Sequence, residues 1–192
     1  MLCIELKTIM LDTKQAEELI KRTVKILGPQ LNNVVNVGVA SVVIGCIEQA
    51  KKDKITILFS GLGSEELFAG YDRHKKAEDK QEECWNGLVG MYERDLLRDY
   101  AIVSKTKVFF MTPFLDKELI SIAMRVPAKL KINEEHSKII LREISEELGL
   151  PKEIAWRQKR AAQYGSRMSK AIDKLSRQKR FEFKKDYLKS LE

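Results

Sequence analysis

The sequence predicts an α/β fold: a parallel sheet unit within residues 1–75, a mainly helical part over 76–170 and a charged helical tail over 171–192. Three observations carry this reading. The run KITILFS, Lys54–Ser60, is continuously apolar at its centre and enters a glycine-bracketed turn, GLGSEEL. Strand, turn and helix in that order describe a parallel unit. Apolar residues recur at helical spacing on both sides of it. After Tyr71 no segment reads as a strand.

Each element has a local reason. IELKTIML, from Ile4, reads as a short strand. Asp12 or Thr13 then caps a helix whose apolar positions are Ala16, Ile20, Val24 and Leu27, and Gly28-Pro29 stops it. NNVVNVGVASVVIGCIEQAKK is β-branched like a strand but long like a buried helix; the spacing favours a helix from about Val39 to Lys51. KITILFS reads as a fully buried strand, and Ser64 as the cap of the helix after it. Asp116 caps KELISIAMRV, ended by Pro127, and Ser137 caps KIILREISEEL, ended by Gly149 and Pro151. From about Ser166 the chain is a charged amphipathic helix or two. Two candidate strands make a poor independent sheet, so another chain or a larger domain is expected to complete it. The edge of strand 55–60 is expected to be open and prone to pairing.

Bulk properties narrow the function. The 192 residues are 44% hydrophobic and 33% charged, which suits one domain, or a domain with an appendage, rather than a disordered chain. The longest apolar run, Val37–Ile47, is too short to cross a bilayer, and no basic-then-apolar signal opens the chain, so the expectation is a cytoplasmic protein without membrane attachment. Cys3, Cys46 and Cys84, with His74 and His136, show no metal-ligand spacing and read as idle or buried thiols. Lys and Arg exceed Asp and Glu by 35 to 28, with much of the excess in the last third. Acidic residues are interspersed there and few aromatics interleave, so a solvated helix face fits better than a nucleic-acid surface.

In SGLGSEEL, Gly61 and Gly63 permit positive φ or close approach of a ligand to the backbone. Glu65 and Glu66 fall in the first turn of the next helix. Two readings stay open: carboxylates favoured there by the helix dipole, or a carboxylate that holds magnesium on ATP phosphates. The glycine spacing fits neither the Walker A nor the Rossmann pattern.

Four motifs add to the loop: SGLGSEELFAGYDRH, TPFLDKELISIAMRVP, SKIILREI and WRQKRAAQYGSR. In this order and spacing the chain resembles the C-terminal synthetase domain of asparagine synthetases, whose motifs look like Ser-Gly-x-Gly-x-Asp-Glu-x-x-x-Gly-Tyr, Pro-Phe-Leu-Asp, Lys-x-x-Leu-Arg and Arg-x-Lys. The resemblance runs from about residue 30 to 170 and is most similar to the asparagine synthetase domain-containing group. It implies an adenine nucleotide α-hydrolase-like (ATP pyrophosphatase-type) sheet unit, here incomplete, in 1–75, and the helical part of the synthetase domain in 76–170. It implies ATP and magnesium as cofactors and a small carboxylate, aspartate in asparagine synthesis, as substrate. The carboxylate attacks the α-phosphate, an acyl-adenylate forms, and ammonia displaces AMP. By the resemblance Ser60, Gly61 and Gly63 line the nucleotide, Glu65 holds magnesium through pyrophosphate, Glu66 matches the following glutamate, and Lys159 steadies phosphate and the adduct as the catalytic cation. Tyr71 and Trp156 read as packing residues.

The sequence departs from that pattern. The Ser-Gly-Gly-x-Asp-Ser loop, which cradles pyrophosphate in the family, does not occur in these residues, and by resemblance Met1 lies just before the third strand of the complete domain. Leu62 stands where asparagine synthetase has a glutamate and can neither give nor take a proton. Phe109, Phe110 and Met111 replace a charged Glu-Ala-Arg, and Glu65 replaces an aspartate. No leading cysteine nucleophile is present. The expectation is therefore an ATP-dependent amide-forming domain, inactive alone, that takes its pyrophosphate loop or ammonia from another chain. Its alternatives are a non-catalytic scaffold relative and a basic nucleic-acid-binding module.

Overall fold

The computed structural model describes residues 6–192. Helix α1, Thr13–Leu31, begins where Asp12 accepts from the Gln15 N–H at 2.8 Å and the Gln15 side chain accepts from the Asp12 N–H at 2.9 Å, a reciprocal capping box. At Gly28 (φ 68) the backbone leaves the helix, and Pro29 opens the last turn. Helix α2, Val34–Lys52, starts five residues before the expected Val39, because the Asn33 side chain accepts from the Asn36 N–H at 2.9 Å and caps it there. Strand β1, Ile57–Phe59, leads into α3, Ser64–Leu67, then α4, Asp72–Lys76, and α5, Lys80–Val89. A π-helical turn, Tyr92–Leu96, enters α6, Leu97–Thr106, followed by β2, Phe109–Met111, and a 3-10 turn, Pro113–Leu115. Then come α7, Lys117–Ala123; α8, Ala128–Lys131; α9, Ile139–Glu147; α10, Lys152–Ala155; α11, Ala162–Gly165; α12, Met168–Gln178; and α13, Lys184–Lys189.

Among the described residues β1 and β2 form one two-stranded sheet. The Phe109 N–H donates to Thr56 O and the Ser60 N–H to Met111 O, both at 2.8 Å, so the strands run parallel. This differs from the sequence expectation in two ways. The strand at Phe109–Met111 was not foreseen, since three residues carry no periodicity. Strand β1 is not buried: Ile57 is 51% and Phe59 80% exposed, because a lone pair of strands has nothing layered over its faces. Of the strand expected from Ile4, residues 4 and 5 lie outside the described residues. Residues 6–11 form no strand, with Leu6 86% exposed and no ladder partner to hold extended backbone.

The described chain divides into two compact units. One comprises Leu58–Arg94 and Phe110–Gln158; the other Leu6–Ile57, Asp95–Phe109 and Lys159–Glu192. In the latter, α2 is wrapped by α1, α6, α11 and α12. Ile20, Val24, Val37, Ala40, Ile44, Ile102, Ile172 and Leu175 on these helices are all buried and supply the apolar core of this unit. One polar pair crosses it: Ser41 Oγ donates to Thr23 Oγ1 at 3.1 Å, and Thr23 Oγ1 to Leu19 O at 2.8 Å. The sequence reading took only Val37–Ile47 as the apolar run; the helix is 19 residues, long and apolar enough to cross a membrane by length and composition. Eight of its residues are buried within the unit, which accounts for its apolarity as core.

The other unit centres on Leu67, Phe68, Ala69, Cys84, Ala123, Met124 and Ile132. Phe68 and Phe114 meet edge to face at 6.2 Å. Asp79 and Asp116 cap α5 and α7 through their side chains. Lys131 is fully buried on this core; its Nζ donates to Gln81 Oε1 at 3.2 Å, and Gln81 Nε2 passes a hydrogen bond on to Met124 O.

Burial holds the Lys131 ammonium below its ordinary value of 10.5. Between that lowered value and 10.5 the unfolded chain binds the proton more strongly, so this group makes stability rise with pH across the window. Below the window the whole cost of the buried charge is present. Replacing Lys131 by Met is expected to remove this component. Urea denaturation over a pH series should show the stability gap between variant and wild type closing as pH rises towards 10.5. A gap that does not change with pH would contradict the burial effect.

Candidate functional site

The turn after β1 is built by one residue above all. Gly63 has φ 96 and ψ −25, a conformation that favours glycine, and a Cβ there would lie 2.5 Å from Leu115 Cδ2, so another residue would be strained and would also have to move Leu115. Gly63 rather than Ser64 is the residue that opens α3; Ser64 is the first helical residue and does not cap it. Before it, Ser60 Oγ accepts from the Leu62 N–H at 3.2 Å, and Gly61 is exposed, with nothing within 4 Å of where a Cβ would stand. The Ser60–Gly61 backbone is thus the outward part of the turn.

The carboxylates face the other way. Glu65 is 9% exposed; its Oε1 accepts from Lys138 Nζ at 2.9 Å, and its Oε2 lies so close to Gly70 that a Cβ there would approach to 1.8 Å. Lys138 heads α9 in the left-handed region (φ 57), which displaces Ser137 from the expected cap. Such a conformation costs a non-glycine residue on the order of 1–2 kcal/mol, here offset by the buried ion pair. Glu66 is 1% exposed and pairs through Oε1 with Arg94 and, at 3.8 Å, with Arg73. Arg73 also reaches Glu83 Oε1 at 2.8 Å and lies 4.4 Å over the Tyr71 ring. His74 is fully buried, stacks on Tyr71, and accepts from the Tyr71 N–H through Nδ1 at 3.1 Å. Burial first, and then the Arg73 charge, hold its imidazolium below the usual 6.5. Tyr71 is a packing residue, as its sequence context suggested.

The first unit therefore brings together Gly63, Glu65 and Glu66, and adds Lys138, Arg73, Arg94 and His74, which sequence reasoning did not assign to the site. Lys159 is exposed and belongs to the second unit. Three residues before it, Trp156 donates through Nε1 to Glu146 Oε2 at 2.8 Å, and its ring meets His136 edge-on at 5.0 Å.

Magnesium takes oxygens in near-octahedral array, commonly one or two carboxylates with phosphate oxygens. Glu65 spends one oxygen on Lys138 and seats the other against Gly70, while Glu66 serves two arginines. As paired here, neither carboxylate turns both of its oxygens to one metal position. Among the described residues no group of three or more His, Cys, Asp or Glu converges on a metal position. What the turn can offer a ligand is the exposed N–H of Gly61, since the Ser60 N–H donates to Met111 O and Gly61 O accepts from the Ser64 N–H.

A family model described as asparagine synthase matches residues 3–99 and 78–183. A putative glutamine-hydrolyzing asparagine synthetase of Methanocaldococcus jannaschii is 26% identical over 95% of this chain and 40% of its own length. An asparagine synthetase domain-containing protein of Saccharomyces cerevisiae is 33% identical over 59% of this chain and 22% of its own. Asparagine synthetase B of Escherichia coli is 36% identical over 55% of this chain and 20% of its own. The chain thus spans less than half the length of each.

Removing one partner of a buried ion pair leaves a charge without compensation, at about 3–5 kcal/mol. Lys138→Met is expected to cost that much in urea denaturation, and adding Glu65→Gln to it should recover most of the loss. A Lys138→Met cost below about 1 kcal/mol, the range of exposed pairs, would contradict the burial argument.

Proposed function

We propose a function for this chain from one premise: it belongs to the asparagine synthase family. In the reading proposed, it contributes one wall of an ATP-dependent, amide-forming site. A small carboxylate, of the aspartate type, attacks the α-phosphate of ATP. Its oxygen–phosphorus bond forms as the bond to pyrophosphate breaks, and ammonia then displaces AMP from the acyl-adenylate to leave an amide. The observation that carries the reading is the turn itself: an exposed Gly61 at a parallel strand end, followed by Gly63 in a left-handed conformation that strains any other residue. Ser60, Gly61 and Gly63 line the nucleotide, and Lys159, a compact cation, balances charge at the phosphates and on the tetrahedral adduct.

Glu65 and Glu66 hold the turn in shape through their ion pairs rather than gripping the ligand. The second anion-binding wall, carrying the pyrophosphate loop, comes from residues outside these 192, and the compartment is the cytoplasm.

A second reading, a non-catalytic scaffold relative, is favoured by a separate observation: Leu62 carries no ionisable group, and both adjacent carboxylates are committed to cations of the same polypeptide. Calorimetric titration with ATP separates the two. The first reading expects measurable binding that weakens about tenfold or more, 1.4 kcal/mol, in Lys159→Ala. Equal binding, or none, in both proteins supports the scaffold. The chain by itself is expected to show no exchange of pyrophosphate into ATP in the presence of aspartate, and a clear exchange signal would contradict the need for a second wall.

A further inference from the structure

We propose that the exposed face of α5 docks into the groove between α1 and α6 of a second copy of this chain, an inference independent of the nucleotide reading. On α5 and the turn after it, Trp85, Val89 and Tyr92 are 45%, 76% and 61% exposed. The winding continues through Gly90, whose N–H donates to Asn86 O at 2.9 Å, so the three stand at i, i+4 and i+7 on one side. The other side carries Cys84, Gly87 and Met91, all buried, with Cys84 in the core of its own unit. Single exposed apolar residues are ordinary on any protein surface. Three at one helical spacing, two of them the aromatic types that anchor interfaces, describe a docking face.

Shape and charge identify the occupant. Within the other unit, α1 and α6 leave a groove of about 380 Å³, lined by Ile26, Leu31, Leu97, Tyr100, Ala101 and Lys105. Recognition of a helix by a groove needs such an apolar slot for the anchors. Glu82, one turn before Trp85, and Glu93, next to Tyr92, are exposed and give the α5 face an acidic margin. The unit that carries the groove has two Lys or Arg for each Asp or Glu, whereas acids prevail in the unit that carries the face. An acid-flanked apolar face complements an apolar groove on a basic unit, and one polypeptide supplies both. Face and groove are different surfaces, so the contact is heterologous. Three anchors in one groove bury less than a standard interface, and the association is weak, on the order of 10–100 μM.

Analytical ultracentrifugation of the full 192-residue chain, at up to about 1 mM, tests the contact. The expected result is reversible association of the wild type, weakened about tenfold or more by Trp85→Ala on the face and by Ala101→Arg in the groove. Each variant keeps the surface that the other has lost. An equimolar mixture of the two is therefore expected to form a one-to-one complex at close to the wild-type affinity. Val89→Lys and Lys105→Glu, both at exposed positions, take their places should either variant lose its helical circular dichroism. A wild-type chain that stays monomeric at about 1 mM overturns the proposal and leaves the face to a different polypeptide. Association that survives undiminished in both variants runs through another surface, such as the edge of β1, and equally overturns it. So does a mixture of the two variants that stays monomeric.

Discussion

A carboxylate taken out of water must meet a cation, and at the turn after β1 two adjacent ones do so within the same polypeptide. Glu65 draws in Lys138 from the head of α9, and Glu66 draws in Arg94 from the π-helical turn and Arg73 from α4. Such pairs are expensive to break and specific in geometry. They dictate details that would otherwise look arbitrary. Gly70 has no Cβ because the Glu65 carboxylate occupies that space, and Lys138 accepts a left-handed backbone because its side chain has a buried partner to reach. The shape of the turn after β1 thus depends on charges that point away from it.

Much of the helical part was legible because its signals are local. Asp12 and Asp116 announce their helices through side-chain oxygens a few residues from the amides they cap. Where a signal was local but ambiguous, the structure chose: Asn33, rather than the β-branched run after it, sets the start of α2. The strands were harder. KITILFS looks like a buried strand because its composition is that of one, yet burial depends on neighbours that composition does not report. Ile57 and Phe59 stand exposed on a sheet of two strands. Leu6–Leu11 has strand composition too and, without a ladder partner, stays irregular.

The candidate site divides along the same line. Its glycines were readable, since Gly63 obeys a steric rule that holds wherever a turn needs positive φ. The fate of Glu65 was not, because its partner lies 73 residues away in sequence. Lys138 stood in plain view inside the SKIILREI motif, but a motif gives residue types and not the direction in which they face. The family match says which chemistry the surrounding fold serves elsewhere; the ion pairs say how this chain has arranged its own half of the turn.

Manganese is a paramagnetic stand-in for magnesium, and its binding to this chain tests the arrangement most directly. Nuclear relaxation or electron resonance during a manganese titration reads whether any ion sits beside Glu65. With Glu65 committed to Lys138, the expected result is no site tighter than the millimolar range, and a titration curve that Glu65→Gln leaves unchanged. A tight manganese site that disappears in Glu65→Gln would show the carboxylate open to a cation and would contradict the account.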